Sequence, residues 1–188
     1  MPLVRGTLVL NTFAFVRKAH GLEAHRRILD ALAPRSSRPL EGTIRDAAWT
    51  PLEPLIAYIE KAKELYAAGE EDYFRQMGRF AGRADRDRNL GVMVRDVDTA
   101  TKMAAVLWRH LFEEGSLEVV ERGAASARLR IRDFPASRAL CDRIQGSLEG
   151  LLGTDARRVR ADRRACLLDG DPYCEYEVHW EEPEAERP

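Results

Sequence analysis

The chemistry this chain can offer begins with sulfur. Cys166 and Cys174 flank Leu-Leu-Asp-Gly-Asp-Pro-Tyr, whose Gly170 and Pro172 mark a turn, and the chain runs straight on into Glu175-Tyr-Glu-Val-His-Trp180. A turn there sets the two thiols at the facing ends of paired strands. The third thiol, Cys141, falls on the apolar stripe of a helix expected from Pro135 onward, together with Leu140, Ile144, Leu148 and Leu151. Three cysteines are an odd, low count, which argues against a secreted disulfide framework. Packing as small apolar side chains, metal ligation and redox exchange all stay open. The histidines, His20, His25, His110 and His179, form no pair at metal-binding or catalytic spacing.

The segments that hold these thiols have a readable register. Cys174, Tyr176, Val178 and Trp180 alternate with Glu175, Glu177, His179 and Glu181, the period of a strand with one face in the core. Its expected partner is Arg157 to Ala165, whose apolar residues Val159 and Ala161 are odd-numbered where the inward set of the last strand is even. Pairing Cys166 symmetrically with Cys174 would bury Arg164 and Asp162. A one-residue slip through a bulge between Arg163 and Cys166 instead sets Ala161 against Val178 and Val159 against Trp180, and leaves Arg158 and Arg160 outside facing Glu181 and His179.

Upstream, Leu117 to Arg122 and Ala127 to Arg132 read as a hairpin with Ala127, Leu129 and Ile131 facing in. In the helix after Pro135, Gly146 and Gly150 would permit close approach to a neighbour. The first half reads as helical. After an extended start at Val4 to Leu10, Asn11 caps a helix bearing Phe13, Phe15, Val16 and Ala19 up to Gly21, and a second turns Leu22, Ile28, Leu29 and Leu32 inward. Ala33 to Gly42 has the composition of a loop. Thr50-Pro-Leu-Glu53 has the form of a capping box opening a helix that ends near Gly69. Glu70 to Ala84 is charged but helical, and the arginines of Arg79 to Arg88 read as a solvated face. Asp98 caps a helix with Met103, Val106, Leu107 and Leu111 inward, closed by Gly115. The order implies an α+β domain over residues 1–181, an antiparallel sheet of about four strands packed with five or six helices, and a frayed polar tail at 182–188.

At 188 residues and 45% hydrophobic content, one domain can bury a core without staples. A net charge of -1 gives no field that would draw in nucleic acid or an anionic membrane. The start lacks the features of a signal peptide and no window is apolar enough to span a bilayer, so a soluble cytoplasmic protein is expected.

The C-terminal half, with its hairpin, its helix carrying Cys141 and its strand with Cys166, Gly170-Asp, Cys174, Glu-Tyr-Glu-Val and Trp180, resembles the 4-vinyl reductase type of small-molecule-binding domain. That group shares its fold with haem nitric-oxide-binding sensors and with subunits of the TRAPP tethering complex. Arg5-Gly6, His20-Gly21, Trp49-Thr-Pro-Leu and Trp108-Arg109 look like an uncharacterised bacterial subgroup. In the family's aromatic-sensing activators a zinc ion is held by cysteines spaced like Cys141, Cys166 and Cys174, with a glutamate three residues before the middle one. The resemblance therefore implies a structural zinc site in which Asp162 replaces that glutamate, since Arg163 stands at its position. The haem sensors' Tyr-x-Ser-x-Arg motif is absent, which speaks against haem.

The resemblance also implies a pocket, for which Phe13, Trp49, Tyr58, Trp108, Tyr176 and Trp180 are the candidate lining, although aromatics at these periods also serve as plain core. The expected function is a non-catalytic sensor that binds a small hydrophobic ligand. With no helix-turn-helix, ATPase loop or kinase motif present, its output lies in a separate partner protein. The alternative is an assembly subunit, a tethering-like homodimer beside a small GTPase, using the helix Pro51 to Gly69 as its surface. No cofactor fingerprint or nucleophile arrangement supports an enzyme.

Overall fold

The computed structural model describes residues 1–90, 97–154 and 157–181. Its architecture is α+β, with a four-stranded antiparallel sheet from the C-terminal half, a two-stranded ribbon and seven helices. The ribbon pairs β1 (Leu3–Arg5) with β2 (Trp49–Pro51). The helices are α1 (Gly6–His20), α2 (Leu22–Ala31), α3 (Pro34–Ser37), α4 (Leu52–Tyr66), α5 (Tyr73–Asp85), α6 (Val97–Leu111) and α7 (Arg138–Leu152). The larger sheet runs β3-β4-β6-β5, from β3 (Ser116–Arg122), β4 (Ser126–Arg132), β5 (Val159–Ala165) and β6 (Cys174–Trp180).

The sheet follows the sequence pattern. Val159 pairs with Trp180 and Ala161 with Val178, and the register shifts between Arg163 and Ala165, where Arg164 is the bulged residue. Ala127, Leu129 and Ile131 face Val178, Tyr176 and Cys174 across β4 and β6, and all six are buried. Tyr176 is fully buried and Trp180 is 8% exposed. The outer face is a ladder of charge in which Arg130 and Arg128 close over Glu175, at 2.7 and 3.6 Å, so that even this carboxylate is buried.

The N-terminal boundaries depart from the sequence reading because main-chain carbonyls replace side-chain caps. Only Leu3–Arg5 is extended. Gly6 N–H donates to the Ala48 carbonyl and Thr7 N–H to that of Asp46, so α1 begins six residues early and Asn11 lies buried inside it rather than capping it. Thr50 is drawn into the ribbon opposite Val4, and α4 begins at Leu52, whose N–H donates to the Pro2 carbonyl, so no capping box forms. Ala33 to Gly42 is not a plain loop. Pro34 opens α3, with Ser36 and Ser37 buried, and a 3-10 turn follows at Arg38–Leu40. Leu22 is 78% exposed because α2 buries Ala24 and Ile28, and two residues of helix turn Leu22 about 200° away from Ala24. Ala19, on the same face as Phe15 and Val16, is exposed in the last turn of α1. In α6 the stripe is Ala104, Leu107, Trp108 and Leu111, which leaves Val106 outside. Ser137, accepting from Leu140 N–H at 3.2 Å, caps α7 in place of Pro135. The Asp98 side chain and the tail 182–188 lie outside the described residues. No helix among those described is long and apolar enough to cross a membrane.

The arginines from Arg79 to Arg88 are a solvated face only in part: Arg83 and Arg88 are exposed, but Arg79 bonds Glu149 and Asp72, Arg86 bonds the Gly153 carbonyl, and Arg88 also bonds Asn11. Arg79 and Arg86 reach α7 and its end because α5 and α7 touch backbone to backbone. A Cβ on Gly78 would collide with the Arg143 carbonyl, one on Gly82 with that of Ser147, one on Gly146 with that of Arg75 and one on Gly150 with that of Arg79. Glu149 is carried inward by this crossing. It accepts from Arg75 and Arg79 of α5 and from Ala161 N–H of the edge strand β5. Burial alone would raise its carboxyl, but these donors hold it below the ordinary carboxylate range.

Because the crossing has no room for a methyl group, Gly82→Ala and Gly150→Ala should each lower stability by about 1–3 kcal/mol. Gly69→Ala, with open space at its Cβ, should stay within about 0.5 kcal/mol of wild type. Urea unfolding of the three variants makes the comparison, and equal stabilities would contradict the close crossing.

Candidate functional site

Two features on either side of α7 have chemistry to offer. The first is the thiol cluster. Cys141 lies in the first turn of α7, Cys166 follows the bulged end of β5 and Cys174 begins β6, and all three are free and buried. The turn between the strands is locked by Asp171, whose carboxylate accepts from Cys166 N–H at 2.8 Å, and by Gly170 at φ 93°, where a side chain would be strained. This brings the Cys166 sulfur to 4.0 Å from that of Cys141 and 3.9 Å from that of Cys174, with all three within 4.8 Å of one another. A tetrahedral zinc thiolate, with Zn–S of roughly 2.3 Å, has S–S edges of about 3.8 Å. Two of the three sulfur pairs already stand close to that separation.

Hydrogen bonds from Cys141, Leu167 N–H and Cys166 hold the Cys174 thiol below its ordinary range, while the same sharing pushes Cys141 up. Tyr176 supports the cluster, its hydroxyl donating to the Cys141 carbonyl at 3.0 Å. The structure does not bring Asp162 to the sulfurs. Asp162 lies opposite Glu177, bonded to Arg160 at 3.0 Å, because the bulge that turns Cys166 inward comes after it. Arg163 bonds Asp142 at 2.7 Å. Among the described residues the cluster has three protein ligands and could hold a soft metal ion.

The second feature is a half-open cavity of about 110 Å³ between α1, α5, α6, α7 and the β3–β4 strands. Its walls are apolar, with Leu8, Trp108, Leu111, Leu129, Ile144 and Leu148 prominent. Among the described residues, ionisable side chains enter the lining only as Asp85 and Arg143. Asp85 accepts from Asn11 at 2.7 Å, and burial raises its carboxyl above the ordinary range. Arg143 is 2% exposed and burial lowers its pKa to about 10, a shift that the field of Asp85 opposes. One Nη donates to the Leu8 carbonyl and the Thr12 hydroxyl, both at 3.3 Å, while Nε–H has no acceptor.

Of the six aromatics read as pocket lining, the structure places Trp108 in the cavity wall. Trp108 stacks on Phe112 at 4.3 Å and meets Phe134 edge-on. Phe13 and Tyr58 pack together at 5.0 Å on the other side of α1, where the Tyr58 hydroxyl meets His25 Nδ1 at 2.9 Å. Tyr176 and Trp180 face the α7 side of the sheet, and Trp49 lies 39% exposed beneath the Arg5 guanidinium. The cavity's ionisable residues, Arg143 and Asp85, escaped the sequence reading. Arg143 stands three residues after Leu140 and one before Ile144, a charge on a buried stripe, which is the signal that marks it.

No family model and no curated protein matches the sequence. Solved structures do. The fold is similar to that of an H-NOX protein from S. oneidensis, a mutant in the Fe(II) ligation state, with a TM-score of 0.76 and 14% identity over 98% of this chain and 100% of that one. An Fe(II) unliganded H-NOX mutant from K. algicida aligns at 0.70 and 12% identity, over 96% and 98% of the two chains. An oxygen-binding H-NOX domain related to soluble guanylate cyclases, in its oxygen complex, aligns at 0.70 and 13%, over 98% of each. The chain has the H-NOX fold.

The residues present do not fit a haem. Protein ligands to haem iron are His, Cys, Met or Tyr, and none of these lines the cavity among the described residues. His20 bonds Tyr73 and His25 bonds Tyr58, while His110 and His179 are exposed.

Proposed function

We propose that this chain is a haem-free sensor or regulatory domain of the vinyl-reductase-like kind, non-catalytic, which binds a small hydrophobic molecule between its helices and its sheet and signals through a separate protein. The observation that carries this reading is the apolar cavity walled by Trp108, Leu129 and Leu148, in a fold shared with an oxygen-binding H-NOX domain. Apolar wall atoms of such a cavity lack packing partners, so an occupant that restores contact to them gains binding energy directly. Helix α6 forms one wall with Leu107, Trp108 and Leu111 and presents Val106 outward. Filling the cavity would shift α6, and its outer side is the surface through which a partner would sense occupancy.

The three thiols are proposed to hold one structural zinc ion through Cys141, Cys166 and Cys174. It would pin α7 to the last hairpin. The ion would supply a cross-link and no reaction.

Titration with toluene, followed through the leucine methyl signals of the cavity, should give saturable shifts that Leu148→Trp abolishes by filling the space. Absence of saturation in the wild-type chain would refute the ligand reading. Elemental analysis of the purified untagged protein should find one equivalent of zinc, and Cys174→Ser should lose it and melt several degrees lower. A metal content below about a tenth of an equivalent would leave the thiols as packing.

A further inference from the structure

A second pocket, independent of the cavity beside α6, opens where α5 and α7 end side by side and the chain enters β5. It holds about 570 Å³ and is half-open to solvent, and its lining gathers Arg79, Arg83, Arg86, Arg157 and Arg158 around one carboxylate, Glu149. Some of these charges are already answered. Arg79 shares Glu149 with Arg75 and bonds Asp72 at 2.9 Å, so two guanidiniums and two carboxylates form a closed set. Arg86 bonds Asp87 at 3.0 Å and caps α7 through the Gly153 carbonyl. Arg83, Arg157 and Arg158 form no ion pair among the described residues. Glu181, whose N–H donates to the Arg158 carbonyl at 3.1 Å, forms none with that guanidinium. The arginines farther along the same strand behave differently: Arg160, Arg163 and Arg164 each meet a carboxylate, at 3.0, 2.7 and 2.6 Å.

The helix ends account for only part of the surplus. Gly78 and Gly82 of α5 meet Arg143 and Ser147 of α7 in the same order, so the two helices run parallel and their C-termini lie together. Each C-terminus carries about half a negative charge. Against three unpaired guanidiniums, that leaves roughly two positive charges facing one concavity.

This lining repels a cation, and among the described residues Val159 is its one side chain for an apolar molecule. A single carboxylate would answer half of the surplus. A phosphate monoester carries about 1.5 to 2 negative charges at neutral pH, with three acceptor oxygens that match guanidinium forks. The Thr154 hydroxyl accepts from Arg157 N–H at 3.0 Å and keeps its own proton to donate. No aromatic ring enters the lining among the described residues, so nothing there stacks on a base. The volume lies within the roughly 300–1,000 Å³ of small-molecule sites, which leaves room for a body behind the phosphate.

We propose that this pocket binds a small phosphorylated molecule, its phosphate held among Arg83, Arg157 and Arg158. The guanidiniums read the phosphate, and Arg79 and Arg86, fixed by their own partners, shape the floor.

Titration calorimetry of the full chain at low ionic strength, with inorganic diphosphate as the probe and acetate as the monovalent control, tests the site. Diphosphate should bind saturably at one per chain and acetate should not. Arg83→Gln and Arg158→Gln, both at exposed positions where folding is little affected, should each weaken diphosphate binding about tenfold or more. Arg160→Gln removes the same charge two residues from Arg158 but outside the lining, and should leave the affinity unchanged. Absence of saturable binding, equal binding of acetate, or equal losses in Arg158→Gln and Arg160→Gln would overturn the proposal. Vesicles of phosphatidylcholine carrying phosphatidylinositol bisphosphate separate a free ligand from a lipid headgroup. Retention of the chain on them without binding of free diphosphate would overturn the small-molecule class.

Discussion

Everything in this molecule that has chemistry to offer is positioned by one contact, the backbone-to-backbone crossing of α5 and α7. Four glycines make it, and because Gly78, Gly82, Gly146 and Gly150 each face a carbonyl of the opposite helix, no other residue fits without moving the helices apart. With α7 this deep, its side chains reach three neighbours. Glu149 meets α5 and the open edge of β5, where it and Gln145 satisfy the N–H and carbonyl of Ala161. Arg143 is driven against α1, and Cys141 is held over the end of the last hairpin. An edge strand that would otherwise offer a free template is closed by side chains of the same helix.

The crossing also explains why the interior divides. On one side of α7 the hairpin presents Tyr176 and two thiols, and packing is tight. On the other, α6 stands over β3 and β4 and leaves space between Trp108 and Leu148. Close packing at the glycines and the space beside α6 are complementary. Under the proposed function α5 and α7 would be the fixed wall and α6 the element that moves.

Much of the C-terminal half was legible in the residue types. The inward set of β6 and the odd-numbered apolar residues of β5 could be paired only through a bulge, because the alternative buried Arg164 and Asp162, and the bulge stands where that conflict required. Gly146 and Gly150 announced a close approach, while their partners Gly78 and Gly82 were hidden in a charged stretch, although they share the same spacing of four. Helix starts were misread where main-chain carbonyls, at Ala48, Asp46 and Pro2, did the work expected of Asn11 and Thr50. No local pattern encodes a cap that arrives from a distant loop. The resemblance offered Phe13, Tyr58 and Trp108 as lining of one pocket, but they face two different interiors, which only the tertiary arrangement of α1 decides. Arg143 was passed over because a single charge on an apolar stripe looks like noise until its surroundings are known.

The central claim is that this fold keeps an apolar space beside α6 for an occupant. Crystals of the protein pressurised with xenon test it without assuming a ligand, since xenon enters apolar voids of this size. A xenon peak bounded by Trp108, Leu129 and Leu148 is the expected result. A refined structure in which those side chains meet, with no xenon between them, would contradict it.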